Sequence, residues 1–215
     1  MGALERDEFR RAAWRVKVAE KVDPKRLVFV DEMGANTSLA PLYAYSPRGE
    51  RAYVRVPRNR GPNTTLLSSI TLSGMGPSLA IEGATTALVF EAYVERVLAP
   101  NLRPAQVVIT DNLSAHKTER VRELVEQRGC ELLYLPPYSP DLNPIEEVFS
   151  KRKGLLRKAE ARNRETLVEV MGQVLSSTGS ITMISAVGNG RPFTMLTTVD
   201  CGACLRVGSV VLLVS

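Results

Sequence analysis

Two short apolar runs that each end in a carboxylate constrain this chain more than any other feature. Leu27-Val28-Phe29-Val30 leads straight into Asp31, and Gln106-Val107-Val108-Ile109-Thr110 leads into Asp111. Runs so short and so apolar read as buried strands. Around them the punctuation is regular. Residues 5 to 21 are rich in helix formers, and Asp23-Pro24 ends that segment. Residues 64 to 72 and 78 to 81 flank the turn Gly74-Met75-Gly76-Pro77 and predict an antiparallel pair beside the first strand. Leu88, Val89, Ala92, Tyr93 and Val97 give helical spacing over 86 to 98, and residues 119 to 128 form an amphipathic helix closed by Gly129. A strand over 131 to 135 stops at Pro136-Pro137. Pro144 suits the first position of another helix with Asn143 as its cap, and a last helix spans 164 to 175. This succession of strands and helices places the chain in the α/β class.

A chain of 215 residues that is 44% hydrophobic can bury one substantial core. Its net charge of +5 and pI near 9.3 suit a polyanionic partner without proving one. Three cysteines, Cys130, Cys201 and Cys204, make no disulfide framework, and the Cys201-Gly-Ala-Cys204 spacing lacks the second pair a metal site needs. The charged N-terminus has no apolar signal core, and no run reaches the roughly eighteen apolar residues of a membrane span. The expectation is a soluble, cytoplasmic protein that does not meet a membrane.

Asp31 and Asp111 follow strands, and Glu146 falls in the first turn of the helix that opens at Pro144. Loops converge where strands end, so ligand sites collect there. Any one of these acids is ordinarily a cap or turn former. Together they would repel one another without a cation, and oxygen ligands suit magnesium or manganese. Asn112 and His116 follow the second acid and could orient substrate or metal-bound water. His116 is the only histidine, which argues against zinc. Glu32 and Glu147 adjoin the proposed ligands; on a strand, Asp31 and Glu32 point to opposite faces.

Basic residues flank this acidic centre. Arg48, Arg51, Arg55, Arg58 and Arg60 lie in a stretch of low periodicity from 34 to 62, read as a loop or small hairpin around Ala52-Tyr53-Val54. Lys151, Arg152, Lys153, Arg157 and Lys158 follow Glu146. A solvated charged face is the ordinary reading of both groups. Facing a polyanion, the same residues would pair with its phosphates.

The stretches LVFVDEMG (27 to 34), VVITDNLSAHK (107 to 117) and LPPYSPDLNPIEEVFSKRKG (135 to 154) resemble the three acidic motifs of DDE transposases of the mariner-like insertion-sequence group. The 34 residues from 112 to 145 between the second and third acids match that group's spacing. The resemblance implies a ribonuclease H-like fold over 26 to 177, a central mixed β-sheet flanked by α-helices, preceded by a helical linker over 1 to 25. It implies that Asp31, Asp111 and Glu146 bind Mg2+ or Mn2+, as two ions, for DNA cleavage and strand transfer at the ends of an insertion sequence. The implied partners are double-stranded DNA, both transposon ends and target, and a second copy in a homodimer on DNA. The group's helix-turn-helix region is not seen before the first strand, so the expectation is that another reading frame supplies it. Residues 178 to 215 depart in composition and read as an atypical tail, translated through a shifted frame. An inactive DNA-binding derivative, or a nuclease that cuts without joining, is the alternative.

Overall fold

The computed structural model describes residues 6–176, together with 182–185 and 194–195. The chain begins with α1 (Glu8–Lys21), whose Asp7 side chain accepts from Arg10 N. It continues through β1 (Leu27–Ala35), β2 (Thr64–Thr71), β3 (Gly74–Met75) and β4 (Leu79–Glu82). Then come α2 (Ala87–Tyr93), β5 (Val107–Thr110), α3 (Glu119–Glu126), β6 (Glu131–Tyr134), α4 (Pro144–Ala159) and α5 (Arg164–Ser176). Two further short strands, β7 (Thr182–Ser185) and β8 (Thr194–Met195), are described beyond α5. Cys201, Cys204 and the apolar end from Val210 to Val214 lie outside the described residues.

The sheet order is β6-β5-β1-β2-β4-β7-β8, with β3 beside β2. β1 runs parallel to β5 and antiparallel to β2, β5 runs parallel to β6, and β4 pairs antiparallel with β2 and parallel with β7. Alternation along β1 divides the core. Val28 and Val30 pack with Phe90, Tyr93, Val121 and Val125 under α2 and α3. Met33 and Ala35 pack on the other face with Ile145, Phe149 and Leu156 of α4 and with Leu167 and Met171 of α5. Val107 and Ile109 meet Trp14 of α1 on that second face. The N-terminal segment read as a linker thus holds a helix lying against the sheet.

Several local expectations shift. β1 does not stop at Val30; it continues to Ala35, because Met33 and Ala35 bury against α4. The helix expected over 86 to 98 widens into a π-helical stretch at Val94–Leu98 and tightens at Ala99–Asn101, where Pro100 has no N–H to donate. Asn101 instead donates from its side chain to Val97 O at 2.8 Å. Gly129 takes the left-handed φ of 67° expected after α3. Residues 36 to 63 contain no strand, so the hairpin around Tyr53 does not form. This long excursion is tied at its neck. Asn36 Nδ2 donates to Asn63 Oδ1 (3.2 Å), Thr37 Oγ1 to Arg60 O (3.1 Å), and Ser38 Oγ to Pro57 O (2.9 Å). Arg162, after α4, donates to Leu39 O at 2.8 Å. Among the described residues no helix is long and apolar enough to cross a membrane.

Candidate active site

β1 and β5 stay paired only from Leu27 opposite Val107 to Phe29 opposite Ile109. Beyond that point the strands part, and the gap is where both aspartates fall. Asp31 lies within β1 rather than at its end, on the face that carries Met33, and it is buried. Asp111 is the first residue after β5. The turn Pro140–Leu142 then brings the start of α4, with Glu146 in its first turn, to the same opening. Asp31, Asp111, Asn112, Tyr138, Asn143 and Glu146 line one cleft of about 330 Å³. Glu147 lines only the adjoining open depression, into which Glu146 also reaches.

The acids differ in setting. Asp31 Oδ1 accepts from Glu32 N at 2.8 Å, and its Oδ2 accepts from Asn143 Nδ2 at 2.8 Å. Burial pushes the Asp31 carboxyl up to about 7, and the negative charges of Glu146, Asp111 and Glu32 add to the rise, against the lowering effect of the Glu32 N–H. Asp111 is more open. Its Oδ1 accepts from Leu113 N at 3.2 Å and from His116 Nδ1. His116 is fully buried, stacked on Phe90 with ring centroids 3.9 Å apart, and its Nε2 lies 3.5 Å from Glu32 Oε2. That separation is an electrostatic contact, too long for a well-formed hydrogen bond. Burial alone would lower the His116 pKa; the Asp111 and Glu32 carboxylates overcome this and hold it at about 9. The imidazolium therefore sits between two carboxylates, one from each side of the sheet gap.

Two of these residues were not legible as site residues. Asn143 occupies the cap position of α4 but makes no side-chain cap hydrogen bond. Its amide goes to Asp31 instead, leaving Asn143 Oδ1 buried with no hydrogen-bond partner among the described residues. Glu32 does face away from Asp31, as alternation requires, yet it reaches the site through His116. Tyr138 stands at the cleft rim, 57% exposed, with a φ of 54° that is costly for a bulky side chain.

Arg48, Arg51, Arg55, Arg58 and Arg60 are all exposed on the excursion, with Arg51 6.0 Å over the Tyr53 ring. On α4, Lys151 and Lys158 are exposed and Lys153 and Arg157 half-buried. Arg152 corrects the expected DNA-facing set. It falls on the inward stripe with Ile145, Phe149 and Leu156, is only 9% exposed, and has its pKa lowered by that burial. Its helical position, not its charge, decides where it points.

The comparisons with known proteins agree with this geometry. The sequence profile of a family described as DDE superfamily endonuclease matches residues 26–168. The transposable element Tcb1 transposase of Caenorhabditis briggsae is 33% identical over 95 residues, covering 42% of this chain and 35% of that protein. The Tc1 transposase of Caenorhabditis elegans is 30% identical over 124 residues, covering 54% and 44%. The chain thus spans less than half the length of these curated relatives. Among solved structures, a pre-cleavage Mos1 transpososome superposes with a TM-score of 0.62 at 19% identity, over 82% of this chain and 56% of that one. The catalytic domain of Mos1 mariner transposase gives 0.52 at 19% identity, over 77% of each. With the strand order above, these likenesses identify the fold as ribonuclease H-like.

Proposed function

The chain belongs to the DDE superfamily endonucleases, and from that membership we propose that it is the catalytic domain of a transposase that cuts and joins DNA at the ends of an insertion sequence. The observation that carries the proposal is the single cleft lined by Asp31, Asp111 and Glu146, brought from three separate elements. The donor set is all oxygen, and Asp31 is raised to about 7 beside two other acids, as in a cluster that ionises fully only against a cation. Mg2+ or Mn2+ is the fitting ion; the Mos1 mariner paired-end complex has been solved with each of these metals. Asp31, Asp111 and Glu146 would hold it only by drawing closer around it, since among the described residues no three His, Cys, Asp or Glu groups stand close enough as they lie. A pair of such ions would supply charge neutralisation for the attacking and leaving oxygens of an in-line displacement at phosphorus.

The chain's own residues prepare that chemistry. Asn143 fixes one oxygen of Asp31, and His116, set against Glu32, fixes Asp111. Lys153 and Arg157 continue the row of α4 that starts at Glu146, at roughly 100° per residue, so they offer a path for the DNA backbone leading from the cleft. The excursion arginines offer a second. Solved neighbours include a Mos1 strand-transfer complex and a Mos1 paired-end complex with a transposon end, which supports double-stranded DNA and a homodimer on it as partners here.

The test is the purified chain with Mg2+ or Mn2+ on oligonucleotides carrying inverted element ends. Joined products support the transposase reading, and cut products alone would leave a nuclease. A non-catalytic DNA-holding role is favoured by one observation: among the described residues no three His, Cys, Asp or Glu groups stand close enough to hold an ion together. DNA binding retained without any metal-dependent cutting would favour that role instead.

Binding should depend on salt in a way that separates the basic residues. Each phosphate neutralised contributes about 0.9 to the log–log slope, so Lys153→Ala with Arg157→Ala should reduce the slope by roughly 2. Arg152→Met should leave it unchanged. A slope that responds to Arg152 and ignores the other pair, read by fluorescence anisotropy, would invalidate this interface.

A further inference from the structure

Arg11, on α1 and 130 positions before its partner Asp141, is fully buried. Its guanidinium makes a forked contact with one carboxylate. Nη1 donates to Asp141 Oδ1 at 3.0 Å and Nη2 to Asp141 Oδ2 at 2.6 Å, while Nε donates to Glu8 Oε2 at 3.3 Å. Asp141 belongs to the Pro140–Leu142 turn, which is closed by Leu142 N to Ser139 O (3.0 Å) and Asn143 N to Pro140 O (2.9 Å). The next residue, Asn143, holds Asp31, and Glu146 N bonds back to Asn143 O at 3.2 Å. One short segment therefore carries the partner of the first acid and the third acid itself. The ion pair ties it to α1, beside a longer approach from Arg15 of the same helix and the apolar cluster that holds both Trp14 and Leu142.

We propose that Arg11 is a positioning residue for the acidic cleft, fastening the turn that carries Asn143 and Glu146 to α1 so that the docking of α1 sets the relation of Glu146 to Asp31. This rests on the reading of Asp31, Asp111 and Glu146 as the metal-binding acids. The fork matters because two parallel N–H contacts fix orientation as well as distance, which a point charge does not. Arg6 and Arg15 also approach Asp141, at 3.5 and 3.9 Å, but they are partly exposed and longer, and do not supply the fork. The same contact would let anything that pulls on the N-terminal helix, including DNA bound upstream of it, alter the cleft through a packed connection.

The test uses the full chain and two readouts that do not require cleavage. Arg11→Met should speed amide hydrogen exchange across residues 139 to 147 by about tenfold and weaken the binding of Mn2+ alone, measured calorimetrically, by a similar factor. Amides of β1 and β5 should keep wild-type rates. Asp141→Asn, at a half-exposed position that endangers folding less, should reproduce both effects, and Arg11→Lys should fall between wild type and Arg11→Met. Unchanged exchange over 139 to 147 in both variants, or an acceleration spread evenly over the sheet, overturns the proposal. So does unchanged Mn2+ affinity where the local exchange does rise. If wild-type Mn2+ binding proves indifferent to Asp31→Asn, the reading of the acids fails, and the exchange pattern alone then decides whether Arg11 fastens the turn.

Discussion

Asp31→Asn should lose metal-dependent cleavage by roughly 10²- to 10⁴-fold, the effect of removing several kcal/mol of charge stabilisation, and should at the same time make the metal-free protein more stable. Both follow from the setting of one carboxylate. Asp31 is buried, and its pKa stands at about 7 rather than 3.8. For an acid whose folded value is raised, the stability it contributes is complete below the unfolded value and is lost as pH rises through the folded one. The metal-free wild type should therefore weaken between about pH 4 and 7. The whole rise is equivalent to roughly 4 kcal/mol, and Asn, neutral throughout, should recover on the order of half of that or more at pH 8. The new amide has an acceptor at hand, since Asn143 Oδ1 is buried and open to a partner after a flip of the Asn143 amide. Adding Mg2+ should stabilise wild type and leave the variant unmoved. Urea denaturation at pH 5 and pH 8, with and without metal, reads this directly. A variant less stable than wild type at pH 8 without metal would refute the electrostatic account, and a fully active variant would remove Asp31 from the site.

Glu146→Gln should abolish nearly all cleavage, about 10²-fold or more, whereas Glu147→Gln should stay within a few-fold of wild type on the ordinary scale of a solvent-facing change. The two acids are adjacent and chemically equal, so only geometry separates them. Neighbouring helix residues diverge by about 100°. Glu146 faces the cleft that holds Asp31 and Asp111, while Glu147 lines only the outer depression. The charge of Glu146 also contributes to the raised pKa of Asp31. A second readout follows: Glu146→Gln should lower the Asp31 pKa, and Glu147→Gln should leave it in place, as followed by NMR titration. The reverse ranking in activity with both Mg2+ and Mn2+ would move the third acid by one residue.

What the sequence made legible was local and periodic. The apolar runs before Asp31 and Asp111, the turn residues between β2 and β4, and Pro144 at the start of α4 all act through nearest neighbours, and each element lies within a few residues of its expected place. What escaped depended on distant chain. β1 runs past Asp31 because α4, more than a hundred positions later, covers Met33 and Ala35. Asn143 has the residue type of a helix cap, but a carboxylate 112 residues away competes for its amide and wins. Arg152 is a cation among cations in sequence, and only the stripe of Ile145, Phe149 and Leu156 turns it inward. The Glu32–His116–Asp111 arrangement was half visible, since alternation gave the direction of Glu32 but not what waited there.

The pinned neck of the excursion between β1 and β2 separates that segment from the rest of the molecule. Three side-chain bonds across its base and Arg162 behind it hold the ends together whatever lies between. Closing a longer loop is then inexpensive, about 0.6 kcal/mol for each doubling of its length. Insertions, deletions or exchange between Leu39 and Pro57 should therefore not be transmitted to β1, where Asp31 sits. The excursion is the part of this chain most open to rewriting, and new contacts can be acquired there without disturbing the chemistry beneath.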